Sequence, residues 1–218
     1  MRQVVGRRTF ELSPAELGAR RADHDGLLLD VGTGDGKHVL AVARARPGLL
    51  VVGLDAGPDA MRPTAARAAQ KPAKGGVPNA LFVWGAVEAL PDGLDGVTEL
   101  HSLMPWGSLL RAFVTPDPTI LESLGARCVP GAQFLLTINL HAWRPPVPEV
   151  GTTPEPTVES ALSTLAPSYA SAGWTIDSAT YPGADELADL GTSWTKRLGS
   201  TRDDLAVLAL SGTIGHRL

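Results

Sequence analysis

An apolar run, Leu27 to Val31, breaks into a glycine turn, Asp30-Val31-Gly32-Thr33-Gly34-Asp35-Gly36, and helix formers follow from His38 to Arg46. A buried strand that stops in glycines and hands over to a helix restricts the fold sharply. It belongs at the carboxyl edge of a parallel α/β sheet, where the backbone can turn tightly and approach a ligand. A dinucleotide fingerprint requires glycine at the sixth position of the motif, and here that position is Lys37. The spacing is instead Gly-x-Gly-x-Gly with an acid, Asp30, two residues ahead.

The rest of the chain repeats the strand-then-helix rhythm. Leu49 to Leu54, Leu81 to Trp84, Val97 to Leu103 and Gln133 to Leu140 read as further strands. Helices are expected over His38 to Arg46, Pro58 to Gln70, a stretch ending near Cys128, and Val158 to Ala172. Trp174 to Tyr181 and Asp204 to Leu210 read as the last two strands. Val4-Val5 and Thr9-Phe10, flanking Gly6-Arg7-Arg8, suggest an N-terminal hairpin. The fold class expected is α/β, Rossmann-like. It has a seven-stranded, mostly parallel sheet with helices on both faces, plus the short hairpin. At 218 residues one domain, 1–218, accounts for the whole chain, with the hairpin over 1–12. Two segments resist assignment to strand or helix, the proline-rich 143–157 and the polar 190–203, and are read as substrate-side loops.

The formal net charge is −4, yet the charges are segregated. No acid occurs from Ala60 to Val87, a stretch holding Arg62, Arg67, Lys71 and Lys74. Arg2, Arg7, Arg8, Arg20 and Arg21 mark the start, and Lys196, Arg197 and Arg202 a late loop. Acids concentrate in Asp92 to Glu99, Glu149 to Glu159 and Asp177 to Asp189. Such a pattern suits one basic and one acidic face. The one cysteine, Cys128, excludes an intrachain disulfide or a thiolate metal cluster, and it reads as a buried structural thiol. Met1 to Phe10 lacks the apolar core of a secretory signal, and no stretch reaches membrane-spanning length. A cytoplasmic protein is expected.

The glycine motif resembles motif I of class I methyltransferases, which implies S-adenosylmethionine as cofactor. The cofactor-binding residues expected are Asp30, Gly32, Thr33, Gly34, Asp55, Ala56, Ala86, Val87, Glu88, Met104 and Ser108. Asp55 closes the second strand, about twenty residues on, where a carboxylate can accept from a ribose diol. Glu88, just past the third, is placed to meet an adenine amino group. Each acid has a plainer reading too: Asp55 as a cap for the following helix, Glu88 as a solvated loop acid. A nicotinamide oxidoreductase is the competing enzyme class, disfavoured by Lys37 and by the lack of a Tyr-x-x-x-Lys constellation.

The fourth strand runs into Leu103-Met104-Pro105-Trp106-Gly107-Ser108. Amino-group methyltransferases often place Asn/Asp-Pro-Pro-Tyr/Phe there, whose first residue accepts from an exocyclic amine. Met-Pro-Trp has no such acceptor, so a ring nitrogen with its own lone pair is the better target. Such a nitrogen needs placement rather than a general base, with an aromatic surface beside the cationic product.

Over essentially its whole length the chain resembles the kanamycin–apramycin resistance ribosomal RNA methyltransferases. The marks are Asp30-Val31-Gly32-Thr33-Gly34-Asp35-Gly36-Lys37-His38, Lys71-Pro72-Ala73-Lys74-Gly75-Gly76, Leu103-Met104-Pro105-Trp106-Gly107-Ser108-Leu109-Leu110-Arg111, Asn139-Leu140-His141-Ala142-Trp143-Arg144-Pro145 and Thr192-Ser193-Trp194-Thr195-Lys196-Arg197-Leu198. The resemblance implies methylation of N1 of adenine 1408 in 16S rRNA within the small ribosomal subunit, hence aminoglycoside resistance, by a monomeric enzyme. N1 lies on the Watson–Crick edge, so the base should leave its stack and lie between aromatic rings. Trp106 and Trp194 are the expected pair, with Ser193 as a third catalytic candidate and Ser108 as a hydrogen-bonding one. Trp84 and Trp174, inside strand-like runs, are expected in the core. By resemblance, RNA phosphates are met by Arg67, Lys71, Lys74, Arg144, Lys196, Arg197 and Arg202. Two other readings stand beside this one. One is a non-catalytic RNA-binding protein of methyltransferase fold; the other is a small-molecule methyltransferase.

Overall fold

The computed structural model describes residues 1–144, 149–190 and 207–215. Nine strands form one sheet among them: β1 (Arg2–Val5), β2 (Arg8–Glu11), β3 (Gly26–Val31), β4 (Leu49–Asp55), β5 (Ala80–Trp84), β6 (Val97–Leu103), β7 (Cys128–Asn139), β8 (Trp174–Thr180) and β9 (Val207–Ile214). Their order is β2-β1-β5-β4-β3-β6-β7-β9-β8. The five central strands are parallel, and β9 runs antiparallel between β7 and β8.

The expectation of seven strands with an appended hairpin is corrected on one point. The hairpin joins the sheet, because Arg2 and Gln3 of β1 pair with Trp84 and Val83 of β5. The exposed edge of β5 is thereby covered, which a lone hairpin would leave open.

The period-2 alternation of strand side chains sorts the core into two layers. Leu27, Leu29, Leu50 and Val52 point to one face, packed with Phe113, Leu121, Tyr169 and Trp174. Leu28 and Val51 point to the other, against Val39, Met61 and Phe82. Both faces are therefore covered, and β3 is buried at every position. Trp174 is fully buried, with its indole N–H donating to the Leu121 carbonyl at 3.0 Å. Cys128 is buried as expected. Its Sγ lies 3.4 Å from the Leu124 carbonyl, and burial pushes the thiol up to about 12.

Helices α1 (Pro14–Ala22), α2 (Lys37–Ala45), α3 (Pro58–Ala68), α4 (Gly107–Val114) and α5 (Pro118–Gly125) connect the strands as far as β7. Ser13 opens α1 with a capping box to Glu16, a signal present in the sequence though no helix was expected there. The single helix expected before Cys128 is two, because Asp117 caps a fresh start with Pro118 in its first turn. The helix expected over Val158 to Ala172 has short α-helical ends, α6 (Val158–Ser160) and α7 (Ala166–Ser171), around a π-helical turn at Ala161–Leu165. A last helix, α8 (Ala184–Asp189), follows β8. No helix among the described residues is long and apolar enough to cross a membrane.

Candidate functional site

A cavity of about 560 Å³ opens at the carboxyl ends of β3, β4, β5 and β6. Every cofactor residue expected from the sequence lines it except Ala86. Ala86 sits between two lining residues, Gly85 and Val87, and bridges to Ala89.

The glycine loop is built by positive backbone angles. Gly32, Gly34 and Gly36 have φ of 73°, 58° and 70°, the left-handed region that side chains with a Cβ avoid. Their surroundings differ. A Cβ on Gly36 would stand 2.3 Å from the Phe82 ring, so packing forbids it, whereas one on Gly34 would meet nothing within 4 Å. Gly36 shapes the fold, and Gly34 leaves room for a ligand. The loop is tied to β4 by the amides of Gly32 and Thr33, which donate to the Leu54 carbonyl at 2.8 and 3.1 Å.

Two carboxylates flank this loop. Asp30 is buried. Its Oδ2 accepts from the Thr33 hydroxyl at 2.6 Å, while Oδ1 has no hydrogen-bond partner. Desolvation raises its pKa, against the opposing pull of His38 and the Thr33 bond. A buried carboxylate oxygen without a donor is an acceptor in want of a cation or an N–H. Asp55 accepts from the Gly34 amide through Oδ2 and the Gly57 amide through Oδ1, both at 2.8 Å. It is not the N-cap of α3, a position held by Gly57. Each of its oxygens keeps a second lone pair for hydroxyl donors.

On the opposite wall, Ser108 donates to Oε1 of Glu88 at 2.6 Å, joining the start of α4 to the loop after β5. Ser108 thus stands beside Glu88, at the side expected for the adenine ring. Between the two walls lies Met104, the one non-glycine residue with positive φ (52°) among the described residues. Its amide donates to the Thr137 carbonyl at 2.8 Å and the Thr137 hydroxyl at 3.1 Å. These bonds hold a conformation that costs on the order of 1–2 kcal/mol. Beyond this turn, Pro105 and Trp106 line the cavity, and Trp106 is 39% exposed. That exposure is what a stacking surface requires.

Trp84 departs from the core role expected of it. It is half-buried at the end of β5, its N–H donating to the Ala56 carbonyl at 3.0 Å, with the Arg2 guanidinium carbon 3.5 Å from its ring centroid. Being the last residue of its strand, it reaches the rim instead of the interior.

Other sequence-chosen residues scatter. Arg67, Lys71 and Lys74 are exposed on α3 and the short 3₁₀ turn at Pro72–Lys74. Arg144 is half-buried, its guanidinium 3.9 Å from Glu155. Trp194, Ser193, Lys196, Arg197 and Arg202, and with them most of the 190–203 loop, lie outside the described residues.

The sequence reading missed His38 and Lys37. Lys37 pairs with Asp35 at 2.8 Å at the cavity margin. His38 is buried in the cavity wall and bonds to His101. A histidine directly after the glycine loop was the available signal. No group of residues suited to hold a metal ion occurs among the described residues.

The sites and fold have close counterparts. A family model described as NpmA, 16S rRNA (adenine(1408)-N(1))-methyltransferase, matches residues 2–213. A 16S rRNA (adenine(1408)-N(1))-methyltransferase of Streptoalloteichus tenebrarius is 56% identical over 214 residues, covering 98% of this chain and 99% of that one. The crystal structure of the 16S rRNA methyltransferase KamB is 55% identical, with a TM-score of 0.94 over 99% of this chain and 100% of that one. A mutant 16S rRNA (adenine(1408)-N(1))-methyltransferase from Catenulisporales acidiphilia, crystallised with its cosubstrate SAM, is 36% identical. Its TM-score is 0.88 over 99% of this chain and 97% of that one.

Proposed function

The chain belongs to the family of 16S rRNA (adenine(1408)-N(1))-methyltransferases, and from that premise we infer how its pocket serves the reaction. The enzyme uses S-adenosylmethionine to methylate N1 of adenine 1408, which confers aminoglycoside resistance. When bound, this cofactor supplies an electrophilic methyl on a sulfonium, which N1 takes with its own lone pair.

The residues present fit that cofactor. The free Oδ1 of buried Asp30 is the acceptor for an ammonium, and a cation there would oppose the rise in its pKa that burial causes. Open space at Gly34 admits a chain beside the loop backbone. Asp55, oriented by two amides, is the acceptor for a ribose diol, and Glu88, held by Ser108, meets the adenine edge.

What the protein adds to the chemistry is placement. No side chain at the β6 turn is a general base, and none is needed, since N1 carries no proton to remove. The strained Met104 turn sets Trp106 at the cavity margin as one face of the site for the extruded base. Trp194 supplies the second ring and Ser193 a hydrogen bond beside it. Arg67, Lys71, Lys74, Arg144, Lys196, Arg197 and Arg202 contact phosphates of the assembled small subunit. The enzyme acts in the cytoplasm as a monomer.

The observation that carries this reading is the conjunction of the unpartnered Asp30 oxygen and the exposed Trp106 ring across one cavity. Primer extension on small subunits treated with enzyme and S-adenosylmethionine tests it. A stop adjacent to position 1408 is expected. Read-through there would refute it, and a stop only on free rRNA would refute the subunit as substrate.

A further inference from the structure

The hairpin turn Gly6-Arg7-Arg8 is not assigned by anything above, yet it is built as part of a basic surface. Its two arginines are exposed. Arg62 on α3 donates through Nη1 to the Arg7 carbonyl at 2.8 Å and the Gly6 carbonyl at 3.4 Å. Gly6 has φ of 59°, and a Cβ there would stand 3.3 Å from that of Ala66. The turn is therefore seated on α3, one residue from Arg67.

Residues 6–8 and 59–74 together hold six cations against a single carboxylate, Asp59. Asp59 is engaged by Arg62 at 2.8 Å, leaving the charge of Arg7 and Arg8 uncompensated by it. The seat is also rigid. Four β1–β2 residue pairs, two β1–β5 pairs and the Leu12 amide bond to the Met1 carbonyl at 2.8 Å hold the turn in the sheet. Binding would order little further chain, so a phosphate contact there keeps most of its free energy. Two cations on a fixed turn suit the charge of phosphate oxygens.

We propose that the Gly6-Arg7-Arg8 turn is a second RNA-docking element, contacting the sugar–phosphate backbone of the substrate rRNA beside the Arg67, Lys71 and Lys74 face. This rests on the functional reading above and adds a surface to it.

Binding to isolated small subunits is measured across a salt series for the wild type, for Arg7→Glu with Arg8→Glu, and for Arg7→Lys with Arg8→Lys. The glutamate pair should bind at least about tenfold more weakly. Its log–log salt slope should be shallower by about two, since each lost phosphate contact removes roughly 0.9. Affinity for S-adenosylmethionine should be unchanged, and the lysine pair should bind within about threefold of the wild type. If the glutamate pair does not fold, the neutral Arg7→Gln, Arg8→Gln pair is used, with a smaller loss and the same change of slope. Unchanged subunit affinity and slope in a variant that still binds S-adenosylmethionine would overturn the proposal. A wild-type enzyme that leaves adenine 1408 unmodified would instead sink the functional reading itself.

Discussion

Nε2 of His38 lies 2.9 Å from Nδ1 of His101, and the other ring nitrogen of His38 is 2.5 Å from the Leu190 carbonyl oxygen. A carbonyl only accepts, so Nδ1 of His38 is the donor in the bond to Leu190. Its Nε2 completes the link to Nδ1 of His101. Through this chain of bonds the helix that opens at the glycine loop holds the end of α8. Leu187 and Val207 pack against Met104 in the same region.

Burial, and next the neighbouring His38, push the His101 pKa down to about 3; Glu99 opposes this and Arg46 adds to it. Unfolded, the ring takes a proton near its ordinary value of about 6.5. Between these values the unfolded chain binds more protons, so the contribution is complete above about 6.5 and is lost as pH falls toward 3. Asp30, raised by burial, acts with the opposite sign above the ordinary carboxylate value. The Tm should therefore drop between about pH 7.5 and 5, and it should drop by several degrees less in His101→Gln. Equal pH slopes in the two proteins would contradict the assignment.

Trp106→Ala and Trp194→Ala should each reduce methylation by about 10- to 100-fold, the range for removing one stacking surface from a base. Affinity for S-adenosylmethionine, measured by calorimetry, should stay within about threefold of the wild type. Undiminished resistance in cells carrying either variant would exclude the stacking role.

Asp30→Asn and Asp55→Asn should weaken S-adenosylmethionine binding by at least about tenfold, the scale of a hydrogen bond to a charged group. Cooperative urea melts, run alongside, separate a binding defect from unfolding. Tight binding by a folded Asp30→Asn protein would remove the ammonium role of that oxygen.

The glycines of the loop should part company under substitution. In Gly36→Ala the new methyl meets the Phe82 ring and the left-handed backbone cost adds to that clash, so a loss of about 2–5 kcal/mol in urea unfolding is expected. Gly34→Ala faces open space and should cost only the left-handed backbone, about 1–2 kcal/mol, while weakening the cofactor more. Equal effects on stability and binding in the two would contradict the division of labour.

Reversing Lys71 and Lys74 together to Glu should weaken subunit binding at physiological salt, as measured by filter retention. Unchanged affinity would remove that face from the interface.

The parallel core and its ligand edge were legible because they rest on local rules. The strand expected over Val97 to Leu103 matches the bounds of β6. The glycine loop, Asp55 and Glu88, each at the end of its own strand, all line one cavity. Local rules failed where tertiary packing overrode them. The fifth strand was expected from Gln133, yet β7 begins at Cys128, and its register with β6 slips between Val97 and Glu99. The expected β9 began at Asp204; the described strand is Val207–Ile214, with 204–206 outside the described residues. Trp84 was misread because burial at a strand's last residue depends on what crosses its end. The His38–His101 contact joins residues 63 positions apart, and no spacing in the sequence announces it.

The central claim is that the pocket offers an unassisted ring nitrogen to the methyl donor. Mass spectrometry of nucleosides from the 1408 region of treated small subunits tests it most directly. N1-methyladenosine in near-stoichiometric yield is the result the account requires. N6-methyladenosine at that position, or adenosine left unmodified, would contradict it.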